Sequence, residues 1–174
     1  MNEEKTIHER PGARADIGRR DLLACLAAVD RNQVLSVAGQ LAEGLTVNLL
    51  QVAESGLALM QWRDAVMHQP FYLGEVPMAR AAVALVNHRG ERAEGGAVVM
   101  ADDADLAHAL AVLDAVFAHR WPGVETVNAM ALSGAQARER VRAQRQAGLI
   151  RTRVDFSLLA QVDDEAAGDE ETAS

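Results

Sequence analysis

A chain of 174 residues, 49% of them hydrophobic and 3% aromatic, is long enough to bury a continuous core and to fold as one α+β domain without a disulfide or metal staple. Its net charge of −8 lies mostly at one end: the last fourteen residues hold six acidic groups and no basic one, the first twenty carry one net positive charge, and residues 21–160 sit at −3. A mildly acidic body argues against a nucleic-acid partner, and with no apolar leader and no run of eighteen apolar residues neither export nor membrane spanning is indicated, so a cytoplasmic protein is expected.

Residues 1–20 and 161–174 are poor in bulky apolar side chains and are expected to be disordered tails around a single domain over 21–160. Within it, Leu22, Leu23, Leu26 and Val29 mark one face of a short helix. Cys25, the only cysteine, falls in that apolar run and reads as a buried, inert thiol. Val34, Leu35, Val37, Ala38 and Leu41 give the apolar side of a second helix over Asn32 to Glu43, with Gly44 as its stop. The two are expected to form a helical hairpin.

After Gly44 the period changes. TVNLLQVA (46–53) and LALMQWR (57–63) suit a pleated surface, and Glu54-Ser55-Gly56 between them reads as a turn, giving a β-hairpin. FYLGEVPMARAAVAL (71–85), set off by Met67 to Pro70 and by Asn87 to Gly90, reads as a third strand in preference to a helix, although Pro77 and the alanines would suit one. Arg92 to Met100 supplies a fourth strand, whose Gly95-Gly96 pair marks a bulge or a close backbone approach. The sheet is thus expected to be a four-stranded antiparallel meander.

Asp102 or Asp103 caps a helix with Leu106, Leu110, Leu113 and Phe117 in one stripe, ending at Trp121-Pro122-Gly123. Val124 to Leu132 is ambiguous. Ser133 to Gln136 has capping-box form and opens a last helix that Gly148 closes, so the order is ααββββαα. The final segment LIRTRVDFSLLAQ is a terminal extension whose apolar residues must be buried on its own sheet or on another chain.

The chemistry-bearing residues are few. His8, His68, His88, His108 and His119 show no metal-ligand spacing among themselves or to Cys25. His108, three residues after Asp105, suggests a structural pair across one helical turn, and His119 falls in the last turn of the helix, where a cation is favoured. No phosphate loop, dinucleotide fingerprint or nucleophile elbow is present. Residues 138–153 hold six arginines against one glutamate. Such a helix is a solvated face balanced by the acidic tail, a surface docked on another subunit, or a phosphate contact.

LLQVAESGLALMQWRD, FYLGEVPMARAAVAL, LAVLDAVF with Asp114, and R-V-D-F at Arg153 to Phe156 together, in this order, resemble the PhnG family, the smallest subunit of the bacterial carbon-phosphorus lyase core complex. The resemblance spans about residues 21–160 and leaves the N-terminal extension and acidic tail without a family role. It implies partners of the PhnI, PhnH and PhnJ types, with ATP-binding proteins of the PhnK and PhnL types. It also implies a part in transferring the ribose triphosphate of ATP, with magnesium, to methylphosphonate with release of adenine. The iron-sulfur cluster and S-adenosylmethionine of the later bond-breaking step belong by that resemblance to a partner. A chain with one cysteine cannot ligate such a cluster.

No catalytic residue is assigned, and no cofactor is expected on this chain. Candidate interface or anion contacts are Glu75, Arg80, Arg151, Arg153, Asp155 and Phe156. Glu75 and Arg80 interrupt an apolar segment, and a charge in such surroundings needs a partner. Regular alternation puts them on opposite faces, so three readings stand: an internal ion pair, with each other or with Asp64 or Asp114; an interface anchor; or direct contact with phosphonate or triphosphate. Direct participation would have Arg80, Arg151 or Arg153 clamp the anion and Glu75 or Asp155 act as acid or base. An unrelated homo-oligomeric binding domain is the remaining alternative.

Overall fold

The computed structural model describes residues 17–151, with side chains as far as Leu149. In chain order it contains helices α1 (Arg19–Leu26) and α2 (Arg31–Ala42), strands β1 (Thr46–Arg63), β2 (Pro70–Val86) and β3 (Arg92–Val99), and helices α3 (Ala104–Ala118) and α4 (Val124–Arg151). The chain divides into two compact units, Met1–Arg138 and Glu139–Ser174, and the sheet lies in the first.

The protein is α+β, as expected, but its sheet has three antiparallel strands in the order β1-β2-β3. The fourth expected strand disappears because Glu54-Ser55-Gly56 does not turn: these residues lie inside the 18-residue β1, opposite Arg80, Ala79 and Met78 of β2. Their polarity reflects exposed ladder positions beside an irregularity in register between Gln51 and Glu54. The real turn comes at Asp64 to Gln69. There the Asp64 carboxylate accepts backbone N–H groups of Val66 (3.1 Å) and Met67 (2.9 Å), which hold it below the usual carboxylate range, and His68 takes a left-handed backbone.

β2 is a strand throughout, as expected, and its alanines serve close packing. Ala79, Ala81, Val83 and Leu85 enter the core against α3, which lies on β2 and β3. A Cβ added at Gly95 would run into the backbone of Ala111 and Ala115, so the glycine pair marks a close backbone approach between β3 and α3. α3 carries the core stripe expected of it, with Leu110 and Leu113 fully buried. Cys25 is buried too.

The N-terminal helices occur close to their expected bounds, and Gly44, with φ of 74°, ends α2 in the left-handed region. They do not form a hairpin packed upon itself, since both lie chiefly on α3. α4 corrects the sequence reading at both ends. It starts at Val124, runs through Ser133 without a new cap and passes Gly148 to reach Arg151. Gly134 serves packing: a Cβ there would collide with the Cys25 carbonyl of α1. Val127, Met130, Ala131 and Gly134 are the buried residues of this helix among those described, whereas from Glu139 to Leu149 every residue is exposed.

Asp103 is the cap of α3. Its carboxylate accepts the Leu106 N–H at 2.9 Å and two bonds from Arg31, at 2.5 and 3.0 Å, which tie the start of α2 to the start of α3. Arg31 also lies 3.7 Å from Asp105, so the partner of Asp105 is Arg31 and not His108. The Arg31 guanidinium, followed by the Leu106 amide, holds the Asp103 carboxyl below its usual range. Because folding favours the ionised form, this stabilisation is complete above the ordinary aspartate pKa of about 3.9 and is lost as pH falls through the lower folded value. Asp103→Ala is expected to cost about 1–2 kcal/mol at neutral pH. The loss should shrink in urea titrations repeated below about pH 4, whereas a pH-independent loss would show that the carboxylate's charge contributes nothing.

Candidate functional site

β3 pairs with only the second half of β2, from Ala79 opposite Val99 to Val86 opposite Arg92. β1 and β2 stay paired from Thr46–Val86 to Arg63–Pro70. Beyond Met78 they therefore continue as a two-stranded ribbon, Leu57–Arg63 against Pro70–Pro77, with no third strand beside it among the described residues. A ribbon of two strands has little capacity to bury its own side chains. Leu57 and Leu59 remain 68% and 57% exposed, and Trp62, Phe71, Tyr72 and Leu73 are exposed as well. A contiguous apolar group left uncovered in this way is a candidate contact surface.

The register assigns its faces. Directly opposed residues of an antiparallel pair share a face, so Leu57 lies beside Pro77, and Leu59 beside Glu75. Two residues along β2 from Pro77 comes Ala79, which is buried in the core. The Leu57, Leu59, Glu75 and Pro77 face is thus the continuation of the face that α3 covers. At the far end Trp62 opposes Phe71. On the other face Arg80 opposes Val98 of β3, which is exposed.

Glu75 and Arg80 do stand on opposite faces of the strand, and both are exposed. Only the later part of the segment, from Ala79 to Leu85, is built for the core. Arg80 pairs neither with Glu75 nor with Asp64 or Asp114. Its Nε and Nη2 donate to Glu54 Oε1 at 2.7 and 2.6 Å across the strands, with both side chains more than half exposed at 61% and 52%. That bond holds the Glu54 carboxyl below its usual range. Glu75 makes no hydrogen bond or ion pair among the described residues. Arg151 is the last residue of α4, and Arg153, Asp155 and Phe156 lie outside the described residues.

Asp114 has a different role. It is the one buried charged side chain of the described core, and accepts from Arg19 Nε and Nη2 at 2.9 and 2.8 Å and from the Gly96 N–H at 3.1 Å. It thereby joins α1, α3 and β3. The sequence reading missed Glu54 as the partner of Arg80 and missed the ribbon. The available signal was that 57–62 and 71–76 are apolar at both odd and even positions, which an exposed edge hairpin would not need.

Among the described residues no cluster of His, Cys, Asp or Glu is placed to hold a metal ion, and no helix is long and apolar enough to cross a membrane. Arg138 donates to Cys25 Sγ at 3.8 Å, while Arg140, Arg142 and Arg145 are exposed on α4.

A family model described as phosphonate metabolism protein PhnG matches residues 18–161. The chain belongs to the PhnG family. The match takes in every strand of the sheet and both ends of the ribbon, so the uncovered surface lies within the PhnG region itself. A PhnG chain has a role in phosphonate metabolism. No curated protein matches the sequence.

Proposed function

We propose that this PhnG chain is an accessory subunit of the carbon-phosphorus lyase core complex. It binds a PhnI-type partner and, with PhnH- and PhnL-type proteins, helps complete the machinery that transfers the ribose triphosphate of ATP to methylphosphonate and releases adenine. PhnJ- and PhnK-type proteins belong to the same assembly, and the catalytic residues reside on a partner. The single observation that supports this reading is the β1–β2 ribbon, an apolar surface that this chain's described residues leave uncovered. Burial of apolar surface is the main drive for stable subunit association.

Arg80 lies where the ribbon leaves the sheet, its guanidinium half exposed and able to offer further donors to a carboxylate on another chain. As an exposed pair, Arg80 and Glu54 add little to the fold. Arg80→Ala is therefore expected to leave the melting temperature of the isolated chain nearly unchanged while co-expression followed by pull-down recovers less of the partner subunits. Normal recovery and normal ribose transfer by that variant would remove Arg80 from the interface. Failure of the wild-type chain to bind any co-expressed partner would contradict the subunit role itself.

A further inference from the structure

The face of the ribbon that continues beyond α3 carries one charge in an apolar setting. Leu57 and Leu59 of β1 and Pro77 of β2 surround Glu75, which opposes Leu59 in the ladder. The two leucines are mostly exposed, and Glu75 has no ion pair among the described residues. Two residues past Pro77, at Ala79, this face enters the core under α3. Among the described residues, a helix therefore covers this face as far as α3 reaches and the rest is bare.

We propose that an amphipathic helix of a partner chain lies on this bare section, continuing the helical layer, with an arginine or lysine of its apolar side set against Glu75. This rests on the subunit role above and specifies which face is used and what chemistry it meets. Two features select the occupant. Continuity with the surface under α3 calls for an apolar, ridge-forming element of helical width. Covering Glu75 by an uncharged surface would strip water from a carboxylate without compensation, so the arriving element must bring a cation. A segment with a carboxylate at that point would be rejected by like charge.

The test compares the isolated full chain with the co-expressed, co-purified complex. Hydroxyl-radical footprinting is expected to show oxidation of Leu57, Leu59 and Pro77 at least fivefold slower in the complex. Glu75→Lys should lower partner recovery at least tenfold. Glu75→Gln should weaken binding less and flatten its dependence on salt, because the charge pair is gone while the shape remains. Each variant's circular dichroism and melting temperature should match the wild type, since Glu75 is exposed. A complex that forms normally with Glu75→Lys, or in which the two leucines stay fully reactive, overturns the assignment of this face while leaving the subunit role standing. Absence of any complex with the wild-type chain overturns both. Slow oxidation of Leu57 and Leu59 already in the isolated chain would also overturn it. If dilution relieved that protection, the occupant would be a second copy. If removal of residues 152–174 relieved it, the occupant would be the chain's own terminal segment.

Discussion

Asp114→Ala is expected to destabilise the isolated protein by about 2–4 kcal/mol, the larger of the two losses expected from removing a side-chain anchor of the fold. The carboxylate is 4% exposed and satisfies three donors from two other elements, Arg19 at the start of α1 and the Gly96 amide in β3. Removing it leaves the Gly96 N–H, part-buried where α3 sits closest to β3, without its acceptor, together with a small void. Arg19 is itself more than half exposed at 57%, so water recovers part of its loss, which places the cost below that of breaking a fully buried pair. Asp114→Asn keeps an oxygen for the Gly96 amide and should lose roughly half as much. Urea unfolding followed by circular dichroism gives both values. A loss under about 1 kcal/mol for the alanine variant would mean that the three elements hold together without this junction.

The same residues show what the sequence disclosed and what it withheld. The stripe of Leu106, Leu110 and Leu113 and the capping aspartate made α3 legible, because a helix is specified by neighbours three and four residues away. β2 was legible for a related reason, flanked as it is by a turn at each end. Glu54-Ser55-Gly56 misled because a polar, glycine-containing triplet looks the same in a turn and at exposed positions of a long strand. What decides between them is a ladder to residues about two dozen positions away, and local composition does not contain it. Ser133 and Gly134 misled in the same manner. The glycine answers a carbonyl of α1 more than a hundred residues earlier and starts no helix.

The site was half legible. That Glu75 and Arg80 lie on opposite faces followed from strand alternation alone. Arg80's actual partner, 26 positions away, depended on register and was out of reach. So was the exposure of both charges, since an apolar segment in a sequence looks equally suited to a core and to a surface awaiting another chain. Strand length settles the matter: β2 outruns β3, and the residues it carries before Ala79 are exposed or only half-buried among the described residues.

In the ladder Gly56 opposes Met78, so residues 57–77 can be excised and Gly56 joined to Met78 through an Asn-Gly turn suited to a two-residue hairpin. The shortened chain keeps Glu54, Arg80, the β2–β3 pairing and all of the buried core, none of which lies in the excised residues. It is expected to fold with a melting temperature within a few degrees of the parent, since it gives up mainly exposed side chains. The direct measurement is native mass after co-expression with the PhnI-, PhnH- and PhnJ-type subunits. The full chain should appear in a hetero-oligomer and the shortened chain as free, folded protein, whereas a shortened chain incorporated as fully as its parent would contradict the central claim.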